Sequence, residues 1–309
     1  MEHSTPEISV VIPIFNEEPN LRELLRRIAE TLDAVGRTFE VIAVDDGSSD
    51  GSLGVLKEIR EADPRLRIVC LARNFGQSPA LYAGFAHVRG QIIAMIDADL
   101  QNPPEELPKL IAKIDEGYDF VSGYRFDRQD SFLRTVPSRV INYVVKKTTR
   151  AEFRDVGCSI KAFRRNVIDV MGRFTHRSRY LPVDVALLGV RTAEVGVAHD
   201  KRVAGTSKYG FFTLIRTTFD LVTSVTAAPL RFFGLLGWLF ALVGFGVGLR
   251  VAYVRFTEGD VNQLGSVMAI VFFLFGVQMI GTGLMCEYIS RIYIEVQNRP
   301  YYLVREVIE

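Results

Sequence analysis

At 309 residues the chain exceeds a typical single domain, and 48% hydrophobic content beside 24% charge, with a mean hydropathy of +0.16, is high for a wholly soluble protein. A net charge of +1 excludes the global basic field that nucleic-acid binding uses. Cys70, Cys158 and Cys286 lie far apart in apolar surroundings, which excludes a disulfide framework and fits packing residues in a reducing compartment.

Strand and helix patterns alternate along the first 200 residues. Ile8 to Ile14 is an apolar run, too short and too interrupted by Pro13 for a secretory signal, and it predicts a buried strand. Leu21 to Val35 has helical spacing and is closed by Gly36. Phe39 to Val44 predicts a second strand, Leu53 to Ile59 a helix, Leu66 to Leu71 a strand, and Pro79 to His87 a helix. Ile92 to Ile96, Pro104 to Ile114 and Phe120 to Ser122 continue as strand, helix and strand, and Ala193 to Ala198 is a last strand-like segment. This alternation predicts an α/β fold with a mainly parallel, doubly wound sheet.

Apolar content is segregated further on. Phe232 to Leu249 and Leu264 to Cys286 contain no charged residue, and each approaches the ~20 residues a membrane-spanning helix needs. The alternative is a pair of buried core helices, which the length and glycine content disfavour. Arg250 sits at the end of the first run, where a long side chain snorkels to the interface. The expected organisation is a cytoplasmic domain over 1–206, an interfacial helix over 207–230, two spans within 231–289 and a cytoplasmic tail over 290–309. Lys201, Arg202, Lys208, Arg216 and Arg231 precede the hairpin, and Arg291, Arg299 and Arg305 follow it. By the positive-inside rule both termini face the cytoplasm, leaving Thr257 to Gln263 outside.

Chemistry-bearing residues gather at predicted strand ends. Asp97 and Asp99 follow directly on Ile92 to Ile96, at the carboxyl edge where open α/β sheets bind ligands. They share a side if the chain stays extended through Ala98, and would then suit Mg²⁺ bridging to a diphosphate. The bland alternative is a strand end and a helix start before Pro103-Pro104-Glu105. Asn16-Glu17 and Asp45-Asp46-Gly47-Ser48-Ser49-Asp50-Gly51 fall past the first two strands. A uridine-type diphosphate donor needs partners for base, ribose and metal, and Asp46, Glu17 and Asp99 are the candidates. No Gly-x-Gly-x-x-Gly follows the first strand and no Walker-type loop is present, so metal rather than a glycine cradle must hold the phosphates.

The series Pro13-x-x-Asn16-Glu17, Asp45-Asp46-Gly47-Ser48-x-Asp50, Arg73-Asn74-Phe75-Gly76-Gln77, Ala83-Gly84-Phe85 and Asp97-Ala98-Asp99-Leu100-Gln101 resembles family 2 glycosyltransferases of the polyprenyl-phosphate type. The resemblance continues through Asp155-x-Gly157-Cys158, His199-x-x-Arg202-x-x-Gly205-x-Ser207-Lys208-Tyr209 and Glu287-Tyr288-x-x-Arg291, ending at Arg299-Pro300-x-Tyr302. It implies a GT-A-like domain with interfacial helices and a transmembrane hairpin at a bacterial inner membrane. The implied reaction is an inverting transfer from a UDP-sugar to undecaprenyl or another polyprenyl phosphate. Mg²⁺ or Mn²⁺ is expected on Asp97 and Asp99 with Gln101 nearby, and the nucleotide at Pro13, Asn16, Glu17, Asp46 and Gln77. Asp155 matches a position proposed as a base, but it could equally orient a basic neighbour.

Arg125, Arg128 and Arg134 precede a stretch, Val140 to Arg150, suited to a helix at the lipid surface. Arg202, Ser207 and Lys208 lie in a polar loop before the interfacial helix, and with those arginines they are the expected acceptor-phosphate residues; Arg202 and Lys208 are also counted as catalytic. Gln129-Asp130-Ser131 and Asp220-Leu221-Val222-Thr223 favour the branch that transfers 4-deoxy-4-formamido-L-arabinose for lipid A modification. Bactoprenol glucosyltransferases share most of the frame. A non-catalytic membrane scaffold is the rival from another class. A processive polysaccharide synthase fits poorly, because the single tryptophan, Trp238, lies within a span. Homo-oligomerisation is left open.

Overall fold

The computed structural model describes residues 5–125, 155, 157–174, 181–199, 228–257, 264–297 and 299–309. The chain divides into two compact units, Met1–Thr218 joined by Pro300–Glu309, and Phe219–Arg299.

The first unit is built on an eight-stranded sheet in the order β7-β5-β6-β4-β1-β2-β3-β8. Strands β1 (Ile8–Ile14), β2 (Phe39–Asp45), β3 (Leu66–Leu71) and β4 (Ile92–Met95) run parallel, and all four are fully buried. Burial on both faces explains why they read as mainly apolar runs rather than alternating ones, interrupted by the buried Ser9, Glu40, Asp45 and Arg67. Helices α1 (Glu18–Val35), α2 (Ser52–Ala62), α3 (Gln77–Phe85) and α4 (Leu107–Asp115) make the connections. Leu21, Leu24, Leu25, Ile28 and Leu32 form the buried stripe of α1, matching the sequence periodicity.

Beyond β4 the sheet becomes mixed. β5 (Phe120–Arg125) is antiparallel to β6 (Lys161–Arg164), and β6 is antiparallel to β4. Helices α5 (Arg165–Met171) and α6 (Leu181–Leu187) follow, and β7 (Thr192–Val197) pairs parallel with β5. Two departures from the sequence reading stand out. Strand β6 has no counterpart in it, and Val304–Ile308, expected to be tail, is strand β8, antiparallel to β3.

Pro13 sits in the middle of this sheet without breaking it. Val11 accepts the Ile96 N–H on the β4 side, so the next residue facing that side, Pro13, meets the point where β4 has ended. Its missing N–H therefore leaves no ladder bond unmade. Close packing also has a visible cause: a Cβ on Gly84 of α3 would lie 2.4 Å from Val11 Cγ1, so only glycine lets the helix approach β1.

The second unit contains α7 (Ala228–Thr257) and α8 (Leu264–Val296). Their apolar stretches Phe232–Arg250 and Phe273–Val296 are long enough to cross a membrane. Phe240 and Phe273 meet edge-to-face at 5.4 Å between the two helices, while Leu235, Trp238, Phe245 and Ile280 point outward. The expected surface helix over 140–150 lies outside the described residues, as does 207–227 of the expected interfacial helix over 207–230, whose last three residues instead begin α7.

Candidate active site

The carboxyl ends of β1, β2, β3 and β4 converge on one edge, and each loop there is fastened to a neighbour by named polar groups. After β1 the chain turns at Asn16, which adopts φ 57°. Asparagine tolerates this left-handed region better than most residues. Asn16 Oδ1 accepts the Ser49 N–H at 2.8 Å, and its own N–H donates to Ser48 Oγ at 3.1 Å. Glu17 donates its N–H to Ser52 Oγ at 3.1 Å and accepts Asn20 Nδ2 at 2.7 Å. Asn16 and Glu17 thus tie the β1 loop to the β2 loop.

Asp46 makes the next link. Its Oδ1 accepts the Phe75 N–H and its Oδ2 the Gly76 N–H, both at 2.8 Å, so this buried carboxylate braces the loop between β3 and α3. Burial pushes its pKa up, and the two N–H groups pull against that rise. Gly47 beside it has φ 68°, and a Cβ there would fall 2.6 Å from the Arg73 carbonyl carbon, which requires glycine.

The braced loop delivers Gln77, the first residue of α3, whose amide donates to Asp97 Oδ1 at 2.7 Å. Asp97 and Asp99 lie just past β4, but the extended geometry expected through Ala98 is absent. The strand ends at Met95, residues 98–99 form a turn, and Leu100 takes φ 58°. For a side chain of that size the left-handed conformation costs about 1–2 kcal/mol, a strain of the kind found where geometry serves a site. Asp99 Oδ1 accepts the Gln101 N–H at 3.1 Å. Burial, and then the Asp99 carboxylate, raise the pKa of Asp97 to about 6; Ser159, Lys161 and Gln77 draw it down. Two acids crowded until one is reluctant to ionise suit a hard divalent cation that takes one or two carboxylates and completes its shell with substrate oxygens. Among the described residues no group of three or more His, Cys, Asp or Glu side chains could hold a metal, so this pair is the candidate.

On the other side of the same edge, at the end of β5, Arg125 meets Asp155. Asp155 Oδ2 accepts Nε at 2.6 Å and Oδ1 accepts a terminal guanidinium N–H at 3.0 Å. The Gly157 N–H adds a bond at 3.2 Å. Lys161 is buried on β6, where Nζ donates to the Cys158 carbonyl, and burial lowers its pKa. Sequence reasoning missed Lys161, Ser159 and Asn102. The Asn102 amide donates to Ser159 Oγ at 2.6 Å, joining the segment after β4 to the one before β6. Arg128, Arg134, Arg202, Ser207 and Lys208 lie outside the described residues.

The sequence profile described as glycosyl transferase family 2 matches residues 9–172, more than half the chain, and one described as the GtrB C-terminal hairpin matches 228–292. Among solved structures the chain is similar to glucosyl-3-phosphoglycerate synthase from Mycobacterium tuberculosis in complex with Mg²⁺ and UDP, with a TM-score of 0.52 and 19% identity over 71% of this chain and 77% of that one. The same enzyme with Mn²⁺, UDP-glucose and phosphoglyceric acid gives 0.51 and 20% over 71% and 79%. At this identity the likeness establishes the fold, a GT-A-like α/β domain.

Proposed function

The chain belongs to glycosyl transferase family 2, and from that premise we propose that it transfers a sugar from a UDP-sugar to a polyprenyl phosphate at the cytoplasmic face of a bacterial plasma membrane. The observation that carries this reading is the crowded Asp97–Asp99 pair, steadied by Gln77, at the carboxyl edge of a parallel sheet in a chain that also carries an apolar hairpin. Solved relatives of this fold hold Mg²⁺ or Mn²⁺ with UDP. Here Asp97 and Asp99, with Gln101 alongside, would hold the ion, which neutralises charge on the departing diphosphate.

The chain's own residues supply the rest. The Asp46-braced loop and the Asn16–Ser49 link shape the nucleotide end of the cleft. A phosphate monoester has a second pKa near ~6, so the acceptor is already an anionic nucleophile at neutral pH and needs cationic positioning more than a base. Arg125, aimed by Asp155, is one such cation, and Arg128, Arg134, Arg202 and Lys208 with Ser207 are assigned to the same task from the sequence. Attack on the anomeric carbon opposite the leaving UDP inverts the configuration.

Two donors compete. GtrB is a polyprenyl-phosphate glucosyltransferase, so the hairpin match supports UDP-glucose over the 4-deoxy-4-formamido-L-arabinose donor that the sequence motifs favour. A panel of UDP-sugars, incubated with undecaprenyl phosphate and Mg²⁺ or Mn²⁺, decides both points. UDP release with formation of a glycolipid is expected with one donor and is lost in Asp99→Asn. Absence of transfer from every UDP-sugar favours the scaffold reading, and an Asp99→Asn variant at wild-type rate removes the metal assignment.

A further inference from the structure

The motif Asp155-x-Gly157-Cys158 runs directly into a residue with no assigned role, Ser159. Strand β6 is antiparallel to β4 in an unbroken register: Ile92 faces Arg164, Ile93 faces Phe163, Ala94 faces Ala162 and Met95 faces Lys161. That last pair leaves Asp97 two residues past β4 and Ser159 two residues before β6, and a side-chain hydrogen bond joins the two.

Hydrogen-bond chemistry then fixes which way the serine works. Asn102 is 5% exposed, and its amide donates to Ser159 Oγ at 2.6 Å. With an acceptor site of that oxygen filled, the hydroxyl hydrogen remains to be given, and an ionised carboxylate can only accept. The backbone that presents Ser159 is itself pinned, since Lys161 Nζ donates to the carbonyl of Cys158, the residue just before it. Lys161 is held by this structural bond, while the charges of Asp97 and Asp155 act on it without a hydrogen bond. Gln77 holds Asp97 Oδ1 from the α3 side.

We propose that Ser159, locked by Asn102, is a positioning residue that holds Asp97 in the orientation from which it binds the divalent ion. The proposal rests on the reading of Asp97 and Asp99 as the metal carboxylates. Ser159 touches neither nucleotide nor acceptor in this scheme; it acts through Asp97. The segment 155–161 would then serve both sides of the cleft, with Asp155 aiming Arg125 and Ser159, four residues later, aiming Asp97.

The test uses the full-length protein in detergent, with Mn²⁺ affinity measured by electron paramagnetic resonance in the presence of UDP and thermal unfolding followed in parallel. Ser159→Ala is expected to weaken Mn²⁺ binding by roughly 10-fold or more, the usual range for losing a group that orients a metal ligand, with a small fall in the unfolding midpoint from the Asn102 amide left without its acceptor. Ser159→Thr, which keeps the hydroxyl, should recover most of that affinity. The KM for polyprenyl phosphate should stay near wild type in both. Loss of Mn²⁺ binding from Asp97→Asn but not from Ser159→Ala overturns this inference and leaves the metal site standing. Mn²⁺ binding untouched by Asp97→Asn overturns both. A Ser159→Thr variant as weak as Ser159→Ala would show that shape, not the donated hydrogen, is what matters, and also sinks the proposal.

Discussion

Asp155 presents a choice that kinetics can decide. As a general base it would need a free lone pair facing the acceptor. In the structure its two oxygens receive Arg125 Nε at 2.6 Å, a second guanidinium N–H at 3.0 Å, the Gly157 N–H at 3.2 Å and the Arg125 N–H at 3.4 Å. A carboxylate offers about four acceptor positions, so these four donors fill it. The pair is mostly buried, with side-chain exposures of 18% for Arg125 and 7% for Asp155. Breaking a fully buried pair costs about 3–5 kcal/mol, and the partial exposure of Arg125 reduces that to about 2 kcal/mol. Asp155→Asn keeps the shape and removes the charge that aims the guanidinium. Transfer to polyprenyl phosphate should fall by roughly 10- to 100-fold in kcat/KM, the rate equivalent of about 2 kcal/mol. Arg125→Met should do the same, and the double variant should be no worse than the poorer single one, because both changes remove one shared interaction. The assay is initial-rate UDP release at varied lipid phosphate and pH. Strictly additive losses, with the acidic limb of the kcat profile abolished in Asp155→Asn alone, would refute the orienting role and restore the base.

Asp97→Asn should abolish transfer yet stabilise the metal-free protein. The folded pKa of about 6 lies above the ordinary 3.8, so ionised Asp97 penalises the fold increasingly as pH rises through that window, and not below it. With partial exposure discounting the effect to about 1–2 kcal/mol, the unfolding midpoint in chelator should rise by roughly 2–6 °C at pH 7.5 and be unchanged near pH 4; an equal gain at both pH values contradicts the cause. Asp46→Asn leaves one of the Phe75 and Gly76 N–H groups without its acceptor, so UDP affinity and thermal stability should fall together, the latter by about 1–3 kcal/mol. Loss of UDP binding at unchanged stability would instead make Asp46 a direct nucleotide contact. A cysteine introduced at the exposed Thr257 should react with an impermeant reagent in intact spheroplasts, and labelling of a Ser4→Cys variant instead would reverse the proposed topology.

The parallel half of the sheet was legible because strands buried on both faces are mainly apolar, and β1 to β4 are, with Ser9, Glu40, Asp45 and Arg67 as their buried polar interruptions. Strand β6, Lys161-Ala-Phe-Arg, was not, since its four residues begin and end with a base and carry no alternation longer than one step. Strand β8 alternates Val304, Glu306 and Ile308 only loosely, and its partner β3 lies more than 230 residues away, so no local pattern announces the pairing. At the site the acids could be found by their clustering at strand ends. Their partners could not: Asn102 and Ser159 are neutral polar residues of kinds common in loops, and only the pairing of β6 beside β4 brings Ser159 to Asp97 and Asn102 to Ser159. Likewise nothing in Asp99-Leu100-Gln101 forecasts a leucine at φ 58°, because intrinsic preference opposes it.

Strand β8 also bears on how the hairpin and the site are connected. It belongs to the same unit as β1 to β7, although α7 and α8 intervene in sequence. A chain that leaves this unit, passes through two apolar helices and returns to the same sheet has the connectivity that the proposed two-span topology requires, with positive charge flanking the hairpin on both sides. The return is firmly held. Glu309 pairs with Arg67 and Arg89, and Arg67 is itself buried and bonded to Glu40. Tyr301 meets Tyr82 edge-to-face at 6.0 Å, and the Tyr82 hydroxyl donates to buried Asp184 at 2.6 Å. Most telling is the Leu303 carbonyl, which accepts the N–H of Ala72, the first residue past β3 in the loop that Asp46 braces and that carries Gln77 to Asp97. The segment following the second apolar helix is therefore bonded to the strand end from which that loop departs, so it helps fix the loop whose Gln77 steadies Asp97.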